Sequence, residues 1–263
     1  MPFFDQPGGA LYYHFDQGHQ HTITLIHGVG ADHESWRWVI EHFEQSFNIL
    51  SFDLRGHGQS VKDGGPYSLA LFAADTIALL DYLQIEKTHL FGFSLGGLIA
   101  QQLAISFQHR LHSVAIISSV AGRSDAEKTA VAERVKMLEQ TGAIAHLNNA
   151  VDRWFSNEFR RNNPEILEWR RLKSLQNDPA SYLAAYRVLA TSDLDEQISK
   201  IEIPCLVMTG ENDIGSTPRM SEYIGERVQN GRVVILPDLK HSLLLEAPDR
   251  VAVELERFIS GLA

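Results

Sequence analysis

The chain has 263 residues, 44% of them hydrophobic and 21% charged, so one main domain with an insertion is the simplest expectation. Its formal net charge of −10 argues against a nucleic-acid-binding protein, which must neutralise phosphates with clustered Lys and Arg. The apolar runs are far shorter than the roughly 20 residues of a membrane-spanning helix, and the first residues lack the pattern of a secretory signal. We therefore expect a cytoplasmic protein with no membrane or nucleic-acid partner.

Six short apolar or β-branched segments, each ending near a turn signal, are typical of β-strands. They cover residues 22–26, 47–52, 88–93, 111–118, 204–209 and 232–236. Helical periodicity lies between several of them, for example at Leu71, Ile77, Leu80 and Leu83 before the third strand. This alternation predicts an α/β protein whose mostly parallel central sheet is flanked by helices.

From residue 123 to residue 195 the alternation stops, and the sequence becomes charged, helix-favouring and aromatic. We interpret this segment as a helical cap insertion, with residues 1–122 and 196–263 forming the core domain. A cap over one edge of the sheet would exclude water from a site and shape a pocket. A peripheral helical bundle with only structural value is the alternative.

The segment 92–96 (GFSLG) follows the third predicted strand and precedes a helical segment, which is the context that a G-x-S-x-G nucleophile elbow requires. The flanking glycines remove Cβ atoms that would clash at such a sharp bend. The N-terminus of the following helix favours negative charge that develops beside the serine. The sequence therefore predicts Ser94 as a nucleophile, with a plain turn as the alternative.

A serine hydroxyl needs a base within hydrogen-bond distance, and the base needs an acid that orients it. Asp213 follows the fifth predicted strand and His241 follows the sixth, which gives the chain order Ser, Asp, His of the elbow-type hydrolases. We predict His241 as the base and Asp213 as the acid. Glu211, Asp238 and Asp125 compete with Asp213 for that role, and Asp213 is favoured because it lies beyond the turn.

The loop after the first predicted strand, residues 27–30 (HGVG), can bring backbone N–H groups close to a substrate. Acyl transfer requires such donors, because they stabilise the oxyanion that develops when the serine attacks a carbonyl. We assign the two donors to the backbone N–H groups of Val29 and Leu95. A dinucleotide-binding fingerprint is disfavoured here, because His33 stands where its third glycine should be.

Four aromatic residues are candidates for lining a substrate pocket: Trp36, Trp154, Phe155 and Tyr186. Each has a simpler interpretation as part of the hydrophobic core. The segment 53–60 also follows a strand, and we interpret it as a tight turn whose Asp53 and Arg55 tie neighbouring loops together. The His, Cys and carboxylate residues show no spacing of metal ligands, so no metal or cofactor is expected.

Five segments together resemble the α/β-hydrolase superfamily over nearly the whole chain: residues 27–28, 53–60, 92–97, 210–213 and 236–241. This resemblance implies the α/β-hydrolase fold, a catalytic triad of Ser94, Asp213 and His241, and an oxyanion hole at the amides of Val29 and Leu95. Within the cap, residues 151–155, 180–182 and 190–194 look like the 3-oxoadipate enol-lactonase branch. That branch implies enol-lactones and small carboxylic esters as substrates.

The residues and the resemblance together predict a serine hydrolase that cleaves a small carboxylic ester or an enol-lactone through an acyl-enzyme. The same triad could instead hydrolyse a carbon–carbon bond in a ring-fission product, or generate peracids without a cofactor. A small-molecule receptor on the same fold is an alternative of a different class. The sequence does not predict an oligomeric state.

Overall fold

The computed structural model describes residues 2–262, with the backbone alone for residues 144 and 147–149. Its strands are β1 (Phe3–Phe4), β2 (Leu11–Asp16), β3 (Thr22–Ile26), β4 (Asn48–Phe52), β5 (Thr88–Phe93), β6 (Leu111–Ile117), β7 (Cys205–Gly210) and β8 (Gly231–Leu236). They form one eight-stranded sheet in the order β1-β2-β4-β3-β5-β6-β7-β8. Strands β3 to β8 pair in parallel, whereas β1 and β2 join the edge in antiparallel pairs.

The six predicted strands are all present, and each boundary lies within one residue of its predicted position. Sequence analysis did not identify β1 and β2. Strand β1 is only two residues long, and β2 is half-exposed, so neither has the buried apolar run that marks a central parallel strand.

The helices that cover the sheet are α1 (Arg37–Ile40), α2 (Leu69–Tyr82), α3 (Leu95–Ser106), α8 (Pro218–Arg227), α9 (Leu243–Glu246) and α10 (Pro248–Ser260). Successive strand residues point to opposite faces, so Leu90 belongs to one buried cluster and Phe91 to the other. The first cluster includes residues of α2, α3 and α8, and the second includes residues of α1, α9 and α10. The sheet is therefore covered on both faces, as predicted.

Between β6 and β7 the chain forms α4 (Asp125–Trp154), α5 (Asn157–Asn162), α6 (Pro164–Leu175) and α7 (Pro179–Thr191). These four helices, called the insertion below, lie within the predicted segment 123–195. A capping box formed by Ser124 and Glu127 begins α4, and Gly142 breaks this helix with φ 80° and ψ 169°. The division of the chain into a core domain and a cap domain remains a prediction. In residues 2–262, every helix is too short or too polar to cross a bilayer.

Strand order places the ends of two neighbouring strands where a site can form. From β3 the chain passes to β4 on one side, and it later returns to β5 on the other side of β3. The carboxyl ends of β3 and β5 lie side by side, with Ile26 opposite Gly92. In open α/β sheets, such a reversal of strand order opens a crevice in which ligands bind.

Candidate active site

Ser94 lies at a sharp bend between β5 and α3, with φ 56° and ψ −112°. A Cβ atom on Gly92 would collide with the carbonyl of Gly96, and one on Gly96 would collide with the carbonyl of Ile26. The two glycines therefore allow α3 to begin directly against the end of β3. The backbone N–H of Ser94 donates to the carbonyl of Ile117 at 2.8 Å, which ties the bend to the neighbouring strand. A non-glycine residue at positive φ stores backbone strain, which is common at functional sites.

The structure brings Ser94, Asp213 and His241 together at the carboxyl edge of the sheet. His241 Nε2 lies 3.3 Å from Ser94 Oγ, and His241 Nδ1 lies 2.7 Å from Asp213 Oδ2. The hydroxyl of Ser118 donates to the carbonyl of His241 at 3.1 Å and so fixes the loop between β8 and α9. The three side chains form one continuous hydrogen-bonded chain.

Local donors hold the Asp213 carboxylate in one orientation. Oδ1 accepts hydrogen bonds from the backbone N–H groups of Gly215 at 2.8 Å and Ser216 at 2.9 Å. Oδ2 faces His241 and also accepts from Thr209 Oγ1 at 3.3 Å. The side chain is almost completely buried. A buried carboxylate that accepts several hydrogen bonds is held in one orientation, which suits it to orient an imidazole.

The three competing carboxylates lie in other surroundings. Glu211 and Asp238 are both exposed, and Glu211 accepts a hydrogen bond from the backbone N–H of Asp238 at 3.1 Å. Asp125 is exposed at the first turn of α4. Of the four candidates, Asp213 is the one in contact with His241.

The loop after β3 lies directly against the serine. A Cβ atom on Gly28 would stand 3.1 Å from Ser94 Cβ, so a larger residue would crowd the nucleophile. Within residues 2–262, the backbone N–H groups of Val29 and Leu95 donate to no protein acceptor. Both residues flank Ser94, one on this loop and one at the start of α3. Val29 lines the same cavity as Ser94, and Leu95 follows Ser94 in the chain, so the assignment of these two N–H groups as oxyanion donors stays a prediction.

A cavity lies between this edge of the sheet and the insertion, and both Ser94 and His241 line it. Two of the four predicted pocket aromatics, Trp154 and Tyr186, line it as well. The other two predictions are wrong. Trp36 is fully buried in the hydrophobic cluster that contains Phe91. Phe155 is buried and stacked on Phe159, with the two ring centroids 5.3 Å apart. The local sequence does not show whether an aromatic side chain on a helix faces the hydrophobic core or a cavity.

The sequence matches the family described as alpha/beta hydrolase fold over residues 22–248. The chain belongs to this family. Two enzymes of Acinetobacter baylyi are each 30% identical to it: 3-oxoadipate enol-lactonase 2, over 90% of this chain and 88% of its own, and (E)-2-((N-methylformamido)methylene)succinate hydrolase, over 94% and 93%. The crystal structure of an enol-lactonase from Burkholderia xenovorans LB400 superposes with a TM-score of 0.92, at 26% identity, over 98% of this chain and 100% of that one. The predicted fold and the predicted resemblance to enol-lactonases are confirmed. The prediction that the chain is an enzyme is confirmed as well, because its relatives are hydrolases.

The segment 53–60 of the hydrolase ties loops together. Asp53 accepts hydrogen bonds at 2.8 Å from the backbone N–H groups of His33 and Gln59. Arg55 donates to both carboxylate oxygens of Asp75 at 2.9 Å. These contacts lie away from the cavity lining and agree with the structural interpretation of this motif. Among the side chains that the structure describes, no three His, Cys, Asp or Glu residues are grouped to hold a metal ion.

Four arginines line the cavity of the hydrolase: Arg123, Arg134, Arg153 and Arg170. Arg123 donates to backbone carbonyls at the end of α7, including that of Leu189 at 2.7 Å. Arg134 forms no ion pair with any described side chain. Burial, and then repulsion by Arg153 and Arg134, lowers the pKa of His146 in the cavity wall to about 4. The insertion therefore presents concentrated positive charge to the cavity, although the whole chain is acidic.

Sequence analysis missed this arginine cluster. The four residues are spread over residues 123–170, and charged residues in a helical segment usually belong to its solvated face. The cluster becomes evident only when the helices of the insertion are folded against the sheet.

Proposed function

We propose that the chain is a serine hydrolase that cleaves a small carboxylic ester or an enol-lactone through an acyl-enzyme. The observation that carries the proposal is the hydrogen-bonded chain from Asp213 through His241 to the hydroxyl of Ser94, with links of 2.7 and 3.3 Å. A nucleophile, a base and an orienting acid are the three groups that acyl transfer by serine requires.

In the first half-reaction, Ser94 Oγ attacks the carbonyl carbon of the substrate while His241 Nε2 accepts the hydroxyl proton. His241 Nδ1–H donates to Asp213, which fixes the tautomer and stabilises the imidazolium. The carbonyl oxygen becomes an oxyanion and accepts hydrogen bonds from the N–H groups of Val29 and Leu95. The tetrahedral intermediate then expels the leaving oxygen, which takes the proton from His241.

In the second half-reaction, water attacks the acyl-enzyme while His241 again acts as the base. The ester bond to Ser94 breaks, Ser94 regains its proton from His241, and the carboxylic acid product leaves. A lactone follows the same steps, and its leaving oxygen stays attached to the acid product. For an enol-lactone, the released enol converts to a ketone.

The insertion acts as a cap in this reaction. Its residues form one wall of the cavity, opposite the wall that contains Ser94 and His241. Closure of such a cavity excludes water while the oxyanion forms, and this strengthens the electrostatic interactions within it.

The arginine cluster supports a substrate that has a carboxylate as well as the scissile ester. An anion in the cavity would relieve the mutual repulsion of Arg123, Arg134 and Arg153, and guanidinium groups bind carboxylates with two hydrogen bonds. The names of the two Acinetobacter relatives refer to 3-oxoadipate and to a substituted succinate, and both of these acids are dicarboxylates.

A substrate panel tests the proposal. Wild type, Ser94→Ala and the control Ser106→Ala are assayed on enol-lactones, aryl esters, ring-fission diketones and peracid formation. Ser106 is a matched control because it lies at the far end of α3 and is exposed. We expect ester or lactone turnover that Ser94→Ala lowers by about 10⁶-fold and that Ser106→Ala leaves unchanged. Turnover of diketones alone, or undiminished turnover by Ser94→Ala, would contradict the proposal.

A further inference from the structure

The loop that contains Val29 is held by the insertion. Lys173, on α6, forms ion pairs with Asp32 and with Glu34, each at 2.8 Å. Asn177, two residues beyond the end of α6, donates from its side-chain amide to the carbonyl of Gly30 at 3.1 Å. Residues 28–34 are called the oxyanion loop below. The insertion therefore contacts this loop at three acceptor groups: the carboxylates of Asp32 and Glu34 and the carbonyl of Gly30.

The Lys173–Asp32 pair is largely buried at the wall of the cavity. The Lys173 side chain is 20% exposed and the Asp32 side chain 10% exposed. Burial opposes the charge of Lys173, but its hydrogen bonds to Asp32 and Glu34 outweigh this effect and raise its pKa. Removing the cation would leave a largely buried carboxylate without its ion-pair partner, an unfavourable state that favours movement of the loop.

Asp32 connects the ion pair with Lys173 to the rest of the loop through hydrogen bonds. Its side chain accepts a hydrogen bond from the backbone N–H of Glu34 at 3.1 Å, and its carbonyl accepts one from the hydroxyl of Ser35 at 2.8 Å. Between Asp32 and β3 the chain makes a tight turn, closed by the N–H of Ala31 on the carbonyl of Gly28 at 3.2 Å. Val29 lies inside this turn. The position of its N–H therefore depends on β3 at one end of the turn and on Lys173 at the other.

Tyr182 of α7 limits the loop from a second side. Gly30 has φ 68°, and a Cβ atom there would collide with the Tyr182 ring. The loop is thus enclosed between the serine bend and two helices of the insertion. A shift of about 1 Å in a catalytic donor can cost about 100-fold in rate, so such enclosure matters for an oxyanion hole.

We propose that Lys173 is a positioning residue, which holds the oxyanion loop from the insertion so that the N–H of Val29 is in place when the oxyanion forms. This inference rests on the proposed function. It implies that the oxyanion hole is complete only while the insertion is seated on the core. The insertion also holds the histidine loop, because the N–H of Ser242 donates to the carbonyl of Trp154 at 2.9 Å.

Lys173→Met tests the proposal, since methionine keeps most of the length of the side chain and removes its cation. The substrate is a neutral aryl ester, so that a direct contact between Lys173 and an anionic substrate plays no part. The concentration of active sites is measured by fluorophosphonate titration, and kcat is calculated per active site, so that unfolded protein does not lower the measured kcat. We expect kcat to fall by about 10- to 100-fold with KM within about threefold of wild type, because the lost interaction exists mainly in the transition state.

Lys62→Met is the matched control. Lys62 also joins the core to the end of α6, by donating to the carbonyl of Gln176 at 3.3 Å, but it does not contact the oxyanion loop. We expect this variant to keep the wild-type kcat.

Two further variants test the ion pair itself. Lys173→Arg keeps the cation, so its kcat should lie close to that of wild type. Combining Asp32→Asn with Lys173→Met should lower kcat little more than Lys173→Met alone does.

A tetrahedral analogue separates positioning from general damage. Binding of an aryl trifluoromethyl ketone, whose adduct with Ser94 places an oxyanion in the hole, should weaken in Lys173→Met by about the same factor as kcat/KM. An unchanged kcat in Lys173→Met, or equal losses in the binding of the ketone and of the neutral aryl alcohol product, would overturn the inference. If Ser94→Ala is inactive while Lys173→Met is normal, the inference fails and the proposed function stands. If Ser94→Ala keeps its turnover, the proposed function itself fails.

Discussion

Hydrogen bonds at Asp213 determine which of its carboxylate oxygens faces the imidazole. The backbone N–H groups of Gly215 and Ser216 both point at Oδ1, so only an acceptor can occupy that position. The other oxygen is left for His241 Nδ1. The acid is therefore fixed by local backbone geometry, and its contact with the imidazole follows from that geometry.

Asp213→Asn should consequently preserve the fold and remove the activity. The amide oxygen will stay on the two backbone donors, which places the NH₂ group opposite His241 Nδ1. The imidazole must then accept at Nδ1 and hold its proton on Nε2, so it cannot accept the proton of Ser94. We expect kcat to fall by about 10⁴-fold, as measured by ester hydrolysis with a melting curve as the check on folding.

Asp238→Asn is the control for this prediction. Asp238 is exposed and has φ 68°, a conformation that asparagine tolerates well. We expect its activity to equal that of wild type. If Asp238→Asn were inactive and Asp213→Asn active, Asp238 and not Asp213 would be the acid that orients His241.

At the scale of elements, α4 and α6 place the cationic side chains of the cavity. Arg134 and Arg153 lie on the two parts of α4 that meet at Gly142, and Arg170 lies on α6. Three side chains from different turns and helices converge only because these helices pack together over the sheet. Substrate charge should therefore be recognised by the insertion, and bond cleavage should be performed by the core.

Arg134→Gln tests this division of roles. Two aryl esters of matched length are compared, one with a free carboxylate at the far end of the acyl chain and one with a methyl group there. A charge-assisted hydrogen bond contributes about 1.5–3 kcal/mol, so kcat/KM for the anionic ester should fall by about 10- to 100-fold. The neutral ester should change by less than about threefold.

Arg187→Gln is the control on the same insertion, because Arg187 pairs with Glu139 at 2.7 Å on the surface of the insertion. This variant should treat both esters as wild type does. Equal losses on the two esters in Arg134→Gln would show that Arg134 maintains the shape of the cavity and does not select charge.

The elements differ in how well their sequences predicted them. The six central strands and the serine bend have signals that are local in the chain, and strand ends predicted the neighbourhood of Ser94, Asp213 and His241 because parallel strands end at one edge. The roles of Trp36, Phe155 and the four arginines depended on how the helices pack against the sheet. No local periodicity encodes that packing, so two pocket aromatics were placed wrongly and the cationic cluster was missed.

At the scale of the whole molecule, the parallel strands also bring their amino ends together, at the edge opposite the candidate active site. There His89 of β5 and His112 of β6 lie beside His21, which directly precedes β3, with ring centroids 5.1 to 6.4 Å apart. Burial, and then the neighbouring imidazoles His112 and His21, lowers the pKa of His89 to about 4. Burial, His21 and Lys87 lower the pKa of His112.

This cluster predicts acid sensitivity of the fold. In the unfolded chain these imidazoles accept protons near pH 6.5, whereas in the folded chain His89 does so only near pH 4. Between these values the unfolded state binds more protons, so the free energy of unfolding falls as pH falls. We expect Tm to drop between pH 7.5 and pH 5, by about 2–4 °C for each kcal/mol lost.

His89→Asn should flatten this dependence of Tm on pH, since asparagine does not titrate and can still bond the hydroxyl of Ser113, which lies 2.8 Å from His89 Nδ1. Part of the slope will remain, because burial also lowers the pKa of His57 to about 3 and that of His146 to about 4. His109→Asn, at an exposed position, should keep the wild-type slope. A slope in His89→Asn equal to that of wild type would contradict the prediction.

The central claim is that folding makes the hydroxyl of Ser94 nucleophilic by bringing His241 to it from 147 positions along the chain. Covalent labelling with a fluorophosphonate, followed by mass spectrometry of the peptides, tests this claim most directly. We expect a single adduct on the peptide that contains Ser94, formed by native wild type and absent from Ser94→Ala, from His241→Ala and from urea-unfolded protein. Labelling of Ser94→Ala at the wild-type rate, or an adduct on a different serine, would contradict it.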